Sequence, residues 1–443
     1  MADNPAPTAR TPAEAAPAAG GWWTSFASPA LTALVDRALA RNLDLEERRL
    51  ELRAARLDPA VPRSLLWPAH LDVRGSFSRY REVFASEDQN VSGTFSEADV
   101  LAVASYDLDL AGRRAALRRA ADQREEAIRN SGESLALATA AEVASVWFAL
   151  LEQRSERALL ARQLAEGAML LDLVQARVDR QLASRLDLLQ QRVQVATTRA
   201  LVPEVEARQQ QLENRLAALL GEERGRRELP PDAAFPPLPA RPALDTAALI
   251  ARRPDVREAQ ARVAEVEERS RAQLATWVPS VQLFARGGLR SYQPADLLNS
   301  PIWGFGAQMS WPLFDGGQRG IELSRLAVEA RRLRVRRAQV LLQARREVDD
   351  AVVAEEKTAA LLGELQAELE TARAALEEAK ARYQHGLGDY TPVVTSLRIV
   401  SELERTRLLA QGQLLAARVR LHEVLAGDWT RETVDRPALT GGR

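Results

Sequence analysis

The chain contains no cysteine, which excludes disulfide bonds, thiol catalysis and cysteine-ligated metal sites. Its 60 basic and 61 acidic residues give a formal net charge of −1, so no nucleic-acid partner is indicated. The three histidines, His70, His385 and His422, are far apart in sequence and show no metal-ligand spacing. We therefore expect no cofactor, no metal site and no enzymatic activity.

Long apolar runs are also missing, since no stretch has the 18 or more consecutive apolar residues typical of a membrane-spanning helix. The nearest stretch, residues 135–151, carries Glu142 and is interpreted as the buried face of a helical bundle. Residues 1–21 are rich in proline and alanine, and we expect a flexible segment without the apolar run of a signal peptide. Either the protein is cytosolic or its start is processed or engineered.

A short strand pattern is followed by a very long helix pattern in the second half of the chain. Between Trp303 and Leu313 large residues alternate with small or polar ones, which predicts a strand with one apolar face. No proline interrupts residues 319–383, and a helix of this length rises roughly 100 Å. Near its end, apolar residues at heptad spacing predict a coiled-coil seam. These residues are Leu362, Leu365, Leu369, Ala372, Leu376, Ala379 and Tyr383.

The same plan of helix, two strands and two long helices occurs twice, which indicates an internal two-fold repeat. Asp44 recurs as Asp255, 211 positions later, whereas Leu182 recurs as Leu387, 205 positions later. The first copy spans residues 22–228, with strands at 68–80 and 97–110, a polar loop near 82–94, helices at 113–181 and 186–220, and a kink at Pro203. A proline-rich linker at 229–242 precedes the second copy, residues 243–428, with strands at 279–290 and 302–313, helices at 318–385 and 391–426, and a tail at 429–443.

Four strands per chain are too few to close a barrel, and an open sheet would leave unpaired edges that a membrane does not tolerate. We therefore expect other copies of the chain to complete the sheet, and three chains would supply twelve strands. The apolar face would contact lipid and the polar face would line a wet interior. Residues expected on the wet side are Asp72, Arg74, Ser76, Gln282, Arg286 and Gln308.

Several motifs, in order and at fixed spacing, carry a resemblance to a known family. They are Trp22-Trp23, the runs 106–113, 253–257 and 312–317, and the two helix tips at 182–187 and 386–390. Over residues 22–428 the chain resembles the TolC-like outer-membrane efflux proteins, in particular the lipoprotein-type branch that serves resistance-nodulation-division pumps. Members of that branch begin with an acylated cysteine, and acylation is impossible on these residues because cysteine is absent.

The resemblance implies an α+β membrane protein: a homotrimer with a twelve-stranded outer-membrane β-barrel that continues into a long antiparallel α-helical periplasmic tunnel. It implies a passive exit duct whose partners are a periplasmic adaptor protein, an inner-membrane resistance-nodulation-division transporter and outer-membrane lipid. One alternative is the exit duct of a type I protein secretion system. Another, from a different class, is a soluble coiled-coil scaffold, favoured by the missing signal peptide. The sequence does not indicate which substrate is exported.

The helix tips are the predicted functional sites, because in the family they narrow the tunnel and dock onto the adaptor. The gate candidates are Arg185, Asp187, Asp389 and Tyr390. An alternative for Asp389, which we prefer, is that it caps the following helix. Asp187 is interpreted in the same way, with Arg185 as a candidate ion-pair partner that would join one helix to its neighbour. The alternative for Arg185 and Asp187 is a solvated surface pair, worth under about 1 kcal/mol. The predicted adaptor-docking residues are Leu182, Ala183, Ser184, Gly386, Leu387 and Gly388.

Glycines between strand and helix are predicted to bend the backbone from barrel to tunnel: Gly112, Gly316 and Gly317. A phosphate-binding loop is disfavoured because the run has no lysine. Asp107 and Asp109 lie two residues apart and are interpreted as wet-face residues at the barrel rim rather than a catalytic carboxylate pair. Aromatic residues near the strand ends fit interfacial girdles or packing between strands. They are Trp67, Tyr80, Trp277, Tyr292, Trp303 and Trp311.

Overall fold

The structure is a computed structural model that describes residues 21–57, 69–85, 90–222, 235–242 and 250–425. The chain divides into two compact units. The sheet unit comprises Glu51–Asn130 and Arg257–Val340, and the helical unit comprises Met1–Leu50, Ser131–Val256 and Leu341–Arg443. The predictions for Trp67, for the start of the linker and for the tail at 429–443 fall outside the described residues.

Four antiparallel strands form one sheet in the sheet unit, and their order in space is their order in the chain. They are β1 (His70–Ala85), β2 (Asn90–Leu108), β3 (Ser280–Ser291) and β4 (Pro301–Ser310). Because the order is sequential, β1 and β4 each pair on one side only within the chain.

The first hairpin is longer than predicted, so the expected polar loop at 82–94 is wrong. Glu82 pairs with Gly93, and pairing continues to Ala85 opposite Asn90. Ladder hydrogen bonds join backbone groups and need no apolar face, so a segment without apolar alternation can still be a strand. The last strand is shorter than predicted and ends at Ser310, two residues before Pro312, which cannot donate to a ladder.

The strand register separates the side chains into two faces, because neighbouring residues on a strand point to opposite sides. The apolar face has six consecutive rows without a charged residue, from the row of Leu108, Val281 and Met309 to the row of Phe77, Ala98 and Ser291. On the opposite, polar face lie all six residues expected on the wet side. They are Asp72, Arg74, Ser76, Gln282, Arg286 and Gln308.

Long helices make up most of the remaining described chain. They are α1 (Pro29–Arg41), α2 (Leu43–Arg56), α3 (Arg113–Asp179), α4 (Arg185–Leu219), α5 (Pro254–Leu274), α6 (Gln318–Gln384) and α7 (Thr391–Val424). Both α3 and α6 have 67 residues, which corresponds to roughly 100 Å of helix. At Pro203 we predicted a kink, and α4 continues through this residue without ending.

The helical unit has a core around a short 3₁₀ helix, Trp22–Phe26. The rings of Phe26 and Phe148 are 5.1 Å apart, and Trp147 is fully buried beside them. One 18-residue window of α3 is apolar enough to span a membrane by composition, but 67% of it is buried inside the protein. The interpretation of residues 135–151 as a buried bundle face is therefore confirmed.

A second core lies along the end of α6 and the start of α7, and it confirms the predicted coiled-coil seam. Four of the seven predicted residues are buried there, and the other three pack against them. Their partners on α7 include Val393 and Val400. Apolar residues at heptad spacing on one helix bury their side chains against the next helix, as in a coiled coil.

Candidate functional site

The two helix hairpins of the helical unit end in the same backbone motif. Gln181 and Gly386 both have left-handed backbone conformation, with φ of 61° and 72°. At the first tip the N–H of Leu182 donates to the carbonyl of Arg177 (2.8 Å), and at the second the N–H of Leu387 donates to that of Arg382 (2.8 Å). This Schellman pattern satisfies the last carbonyls of the helix and reverses the chain.

The residue type at that left-handed position differs between the tips. A side chain costs roughly 1–2 kcal/mol in this conformation, and glycine avoids that cost. The first tip therefore contains a strained Gln181, whereas Gly386 makes the same turn without strain.

The first tip is closed by a capping box at the start of α4. The N–H of Asp187 donates to the hydroxyl of Ser184 (3.2 Å), and the N–H of Ser184 donates to the carboxylate of Asp187 (3.1 Å). The predicted ion pair between Asp187 and Arg185 is wrong for the described residues. The carboxylate already accepts from Ser184, and residues two apart on a helix do not face each other.

The second tip has no such cap. Tyr390 occupies the N-cap position of α7, and its side chain makes no capping hydrogen bond. The prediction that Asp389 caps this helix is therefore wrong, because Asp389 lies one residue too early and its side chain is exposed. Among the described residues, no hydrogen bond joins the carboxylate of Asp389 to the first turn of α7.

Tyr390 is only 1% exposed, and its side chain joins the two hairpins. Its hydroxyl donates to Oε1 of Gln191 on α4 (2.8 Å). The side-chain nitrogen of Gln191 in turn donates to the carbonyl of Gly167 on α3 (2.8 Å). Burial raises the pKa of Tyr390 above its usual value, so the phenol stays protonated and can donate.

A second pair of contacts joins the hairpins next to Tyr390. The rings of Tyr383 and Tyr390 are 4.9 Å apart. The guanidinium of Arg177 on α3 lies 4.5 Å from the ring of Tyr383 and donates to its carbonyl oxygen (3.1 Å). No local sequence pattern identifies Gln191 or Arg177 as partners of these tyrosines, because each contact joins residues about 200 positions apart.

The predicted docking residues lie at the surface of the two tips. Leu182 and Leu387, which are equivalent in the repeat, are exposed although both are apolar. Leu186, in the first turn of α4, is exposed as well. Exposed apolar side chains at equivalent positions of both tips are the kind of surface that a protein partner covers.

The predicted bends in the sheet unit have left-handed backbone conformation. Gly112 has φ of 69°, and Gly316 and Gly317 have φ of 65° and 87°. After each bend a carboxylate caps the new helix: Asp109 accepts from the N–H of Arg114 (3.1 Å), and Asp315 accepts from that of Arg319 (3.1 Å). No phosphate is needed to explain either loop, because these carboxylates already satisfy the free N–H groups.

Both bends are also held by an arginine on the second residue of the helix. Arg114 binds the carboxylate of Asp107 (2.8 Å), which also accepts from Gln282 across the polar face (2.8 Å). Arg319 binds the carboxylate of Asp315 (2.6 Å), and this hydrogen bond lowers the pKa of Asp315. Asp107 and Asp109 therefore have structural roles and do not form a catalytic carboxylate pair.

Within the described chain, no group of histidine and acidic side chains is suited to hold a metal ion. His70 and His385 are exposed. His422 is buried and stacks on the ring of Trp22 at 5.6 Å. Burial lowers the pKa of His422 to about 4, so the ring is neutral at pH 7.

The sequence profile of the family described as "Outer membrane efflux protein" matches residues 34–222 and 247–427, most of the chain. The chain belongs to the outer membrane efflux protein family. It is 28% identical over 416 residues to the probable efflux pump outer membrane protein SepC of Pseudomonas putida, covering 92% of this chain and 85% of SepC. It is 26% identical over 418 residues to the pyoverdine export outer membrane protein OpmQ of Pseudomonas aeruginosa, covering 92% and 87%.

The fold is similar to that of a solved family channel. The structure of the outer-membrane channel OprN superposes with a TM-score of 0.84 at 25% identity and covers 92% of both chains. This outer membrane efflux protein is therefore a transport component and not an enzyme, as the resemblance implied. Its location is the outer membrane.

Proposed function

We propose that three copies of the chain assemble into a homotrimer with a twelve-stranded barrel and a helical tunnel. The trimer is a passive exit duct that conducts small molecules from the periplasm or the pump to the exterior. The observation that carries this proposal is a sheet with two open edges and one exposed apolar face.

The apolar face of β4 is far too exposed for a chain that works alone. Trp303 and Phe305 are 80% and 81% exposed, and both strand edges retain backbone groups without a partner strand. An open strand edge exposes backbone N–H and C=O groups that lipid cannot hydrogen-bond. Pairing of β4 with β1 of the next copy would satisfy these groups at both edges. Six rows of a tilted strand cover about 25 Å, the height of the apolar band in outer-membrane barrels.

The helices carry a matching unpartnered surface. Ile321, Val328 and Val335 recur every seven residues on α6 and are exposed in the single chain. A heptad stripe of this kind packs against another helix. In the trimer, α6 of one copy would meet a helix of its neighbour along this stripe.

The tips are the proposed gate and docking surface. The gate residues are Arg185, Asp187, Asp389 and Tyr390, and the gate opens when the second hairpin separates from the first. A periplasmic adaptor docks onto Leu182, Ala183, Ser184, Gly386, Leu387 and Gly388, and an inner-membrane resistance-nodulation-division transporter supplies the energy. The names of SepC and OpmQ, an efflux pump component and a pyoverdine exporter, support the class of system but point to no single substrate.

Two rival functions are less well supported. A soluble coiled-coil scaffold would expose the apolar sheet face to water, which is unfavourable. The family assignment also argues against a scaffold. A type I secretion duct has the same architecture, so only the partner separates the two systems. Photo-crosslinking from Leu387 in the periplasm would capture an adaptor of one system or the other.

The test is to fold the purified chain in detergent and to measure its mass and conductance. The expected native mass is three times the 48.8 kDa of one chain. The expected signal in planar bilayers is ion conductance that does not require an energy source. A monomer that gives no conductance would contradict the proposal.

A further inference from the structure

Two carboxyl groups on α3, in the first hairpin, contact α7 of the second hairpin. Glu156 is 1% exposed, and its carboxylate binds Arg405 of α7 (3.1 Å). Glu152 is half-buried, and its carboxyl group lies against the backbone of α7 at Gly412. Residues four apart on a helix share one face, so both carboxyl groups belong to the same contact between the hairpins. Of the two, Glu156 alone forms an ion pair among the described residues.

Gly412 makes room for the carboxyl group of Glu152. The glycine is buried in the interior of α7, and a Cβ atom at this position would clash with Oε2 of Glu152. Glycine weakens a helix interior relative to alanine, because the unfolded backbone has more freedom to lose. Here the missing side chain lets the carboxyl group approach the backbone of α7 directly.

The environment of Glu152 favours its protonated form. Burial and the like charge of Glu156 raise the pKa of Glu152 to about 7. A hydrogen bond from Gln153 (3.3 Å) and the charge of Arg208 on α4 oppose this rise only in part. On α7 the neighbouring cation is Arg405. The acidic partners of the two arginines are Glu204 for Arg208, and Glu156 and Glu402 for Arg405.

The internal repeat gives α6 and α4 an equivalent contact with different residues. At an offset of 205, as between Leu182 and Leu387, the counterparts carry neither the carboxyl pair nor its arginine nor the glycine. They are Lys357, Leu361, Ala200 and Ala207. Because the repeat would continue in the same order round the proposed trimer, this second contact would join α6 to α4 of the next copy. The carboxyl pair therefore belongs to the contact within one chain.

We propose that protonated Glu152 holds α3 against α7 and that loss of this proton weakens the contact, so that the duct opens more readily as pH rises. A neutral carboxyl group packs at Gly412 without adding a second negative charge beside Glu156. An ionised one repels Glu156 and loses hydration in the contact. The inference rests on the proposed function, because it regulates the separation of the second hairpin from the first.

The pH range follows from the two environments of the carboxyl group. In the joined hairpins the pKa of Glu152 is about 7, whereas a hydrated glutamate titrates near about 4.3. The raised pKa means that the proton stabilises the contact fully below about pH 4.3 and that this stabilisation is lost as pH rises to about 7. Separation hydrates the carboxyl group, so the ratio of separated to joined hairpins should rise roughly 20-fold between about pH 5.5 and 7.5.

The experiment compares the open fraction of wild type and Glu152→Gln in planar bilayers at about pH 5.5 and 7.5. Wild type should open roughly 20-fold more at the higher pH, whereas Glu152→Gln keeps a neutral side chain and should stay low at both. The matched control Glu166→Gln removes an exposed carboxylate from the same helix and should keep the wild-type response. Gly412→Ala places a methyl group against the carboxyl group and should raise the open fraction already at about pH 5.5.

Hydrogen exchange of α3 and α7 in detergent tests the inference independently of conductance. Exchange in wild type relative to Glu152→Gln, compared at the same pH, should increase from about pH 5.5 to 7.5, and the native mass should remain that of a trimer. Equal responses of wild type and Glu152→Gln would overturn the inference, as would loss of the response in Glu166→Gln. Dissociation of the wild-type trimer over this range would overturn the assignment to a contact within one chain. Absence of conductance in every variant would contradict the proposed function alone.

Discussion

The two halves of the chain build the same hairpin tip with different residues. Gln181 and Gly386 adopt the same left-handed turn, but only the first tip continues into a capping box and only the second places a buried tyrosine at the helix start. The backbone geometry is shared, whereas the side-chain contacts are not. The second tip is held to the first by Tyr390, so the side chain that joins the hairpins comes from the second half.

The C-terminal ends of α4 and α7, the last helices of the two halves, are also held at equivalent positions by different side chains. The side chain of Asn42 donates to the carbonyl of Leu219, the last residue of α4 (3.0 Å). Arg253, 211 positions later, donates to the carbonyl of Val424, the last residue of α7 (3.2 Å). The neutral amide of Asn42 and the buried guanidinium of Arg253 therefore both donate to the last carbonyl of a helix. The guanidinium also binds Asp255 (2.8 Å) and Glu347 (2.9 Å).

The largest destabilisation should follow loss of Arg253, which is 9% exposed. Arg253→Ala removes the ion pairs with Asp255 and Glu347 and leaves Glu347 only the longer pair with Arg420 (3.7 Å). The variant is expected to destabilise the protein by about 3 kcal/mol. Asn42→Ala, the matched change in the first half, removes one carbonyl contact and a helix cap and should destabilise by about 2 kcal/mol. Thermal unfolding in detergent measures both destabilisations. Equal destabilisation by the two variants, or a larger effect of Asn42→Ala, would contradict the difference between the halves.

The contribution of His422 to the acid response belongs to the second half alone, because Ala217 is at the equivalent position of the first half. The pKa of His422 is lowered to about 4, so the unfolded chain binds the proton first as pH falls. The contribution of neutral His422 to stability is complete above about pH 6.5 and is lost between about pH 6.5 and 4, by up to about 3 kcal/mol. In His422→Phe the part of the acid-induced loss of melting temperature due to this group should vanish, and an unchanged profile would contradict the assignment.

Loss of the Tyr390 hydroxyl should destabilise the contact between the two tips, whereas loss of the Tyr383 hydroxyl should not. Tyr390→Phe leaves Gln191 without its buried donor and is expected to destabilise the joined tips by about 1–2 kcal/mol. Tyr383→Phe is the control, since its buried hydroxyl has no hydrogen-bond partner among the described residues. Hydrogen exchange of the second tip measures the effect, and equal exchange in both variants would exclude the role assigned to Tyr390.

The smallest effects should have opposite signs at the two left-handed turns. Gly386→Ala introduces strain and should destabilise by about 1 kcal/mol, whereas Gln181→Gly removes strain and should stabilise by a similar or smaller amount. Melting temperatures of the two single variants and of the double variant provide the test. Destabilisation by Gln181→Gly would show that the side chain of Gln181 makes a contact that outweighs its backbone strain.

The sequence predicted features that depend on periodicity. Alternation predicted the two faces of the sheet, and heptads predicted the seam from Leu362 to Tyr383. It failed where local pattern carries no information: the first hairpin continues as paired strands beyond its alternation, and Asp389 lies one residue outside the cap position. The partners Gln191 and Arg177 of the second tip were missed because side-chain contacts over long sequence separation depend on packing.

The central claim is that neighbouring copies complete the sheet, and a disulfide cross-link between β1 and β4 tests it most directly. The chain has no cysteine, so no native thiol competes with cysteine pairs introduced at Leu71 or Val73 on β1 and at Phe305 or Ala307 on β4. Within one chain β1 and β4 are separated by two strands, about 14 Å, which exceeds the roughly 7 Å limit of a disulfide. Oxidation should give covalent dimers and trimers for pairs in register, and a chain that stays monomeric for every pair would contradict the account.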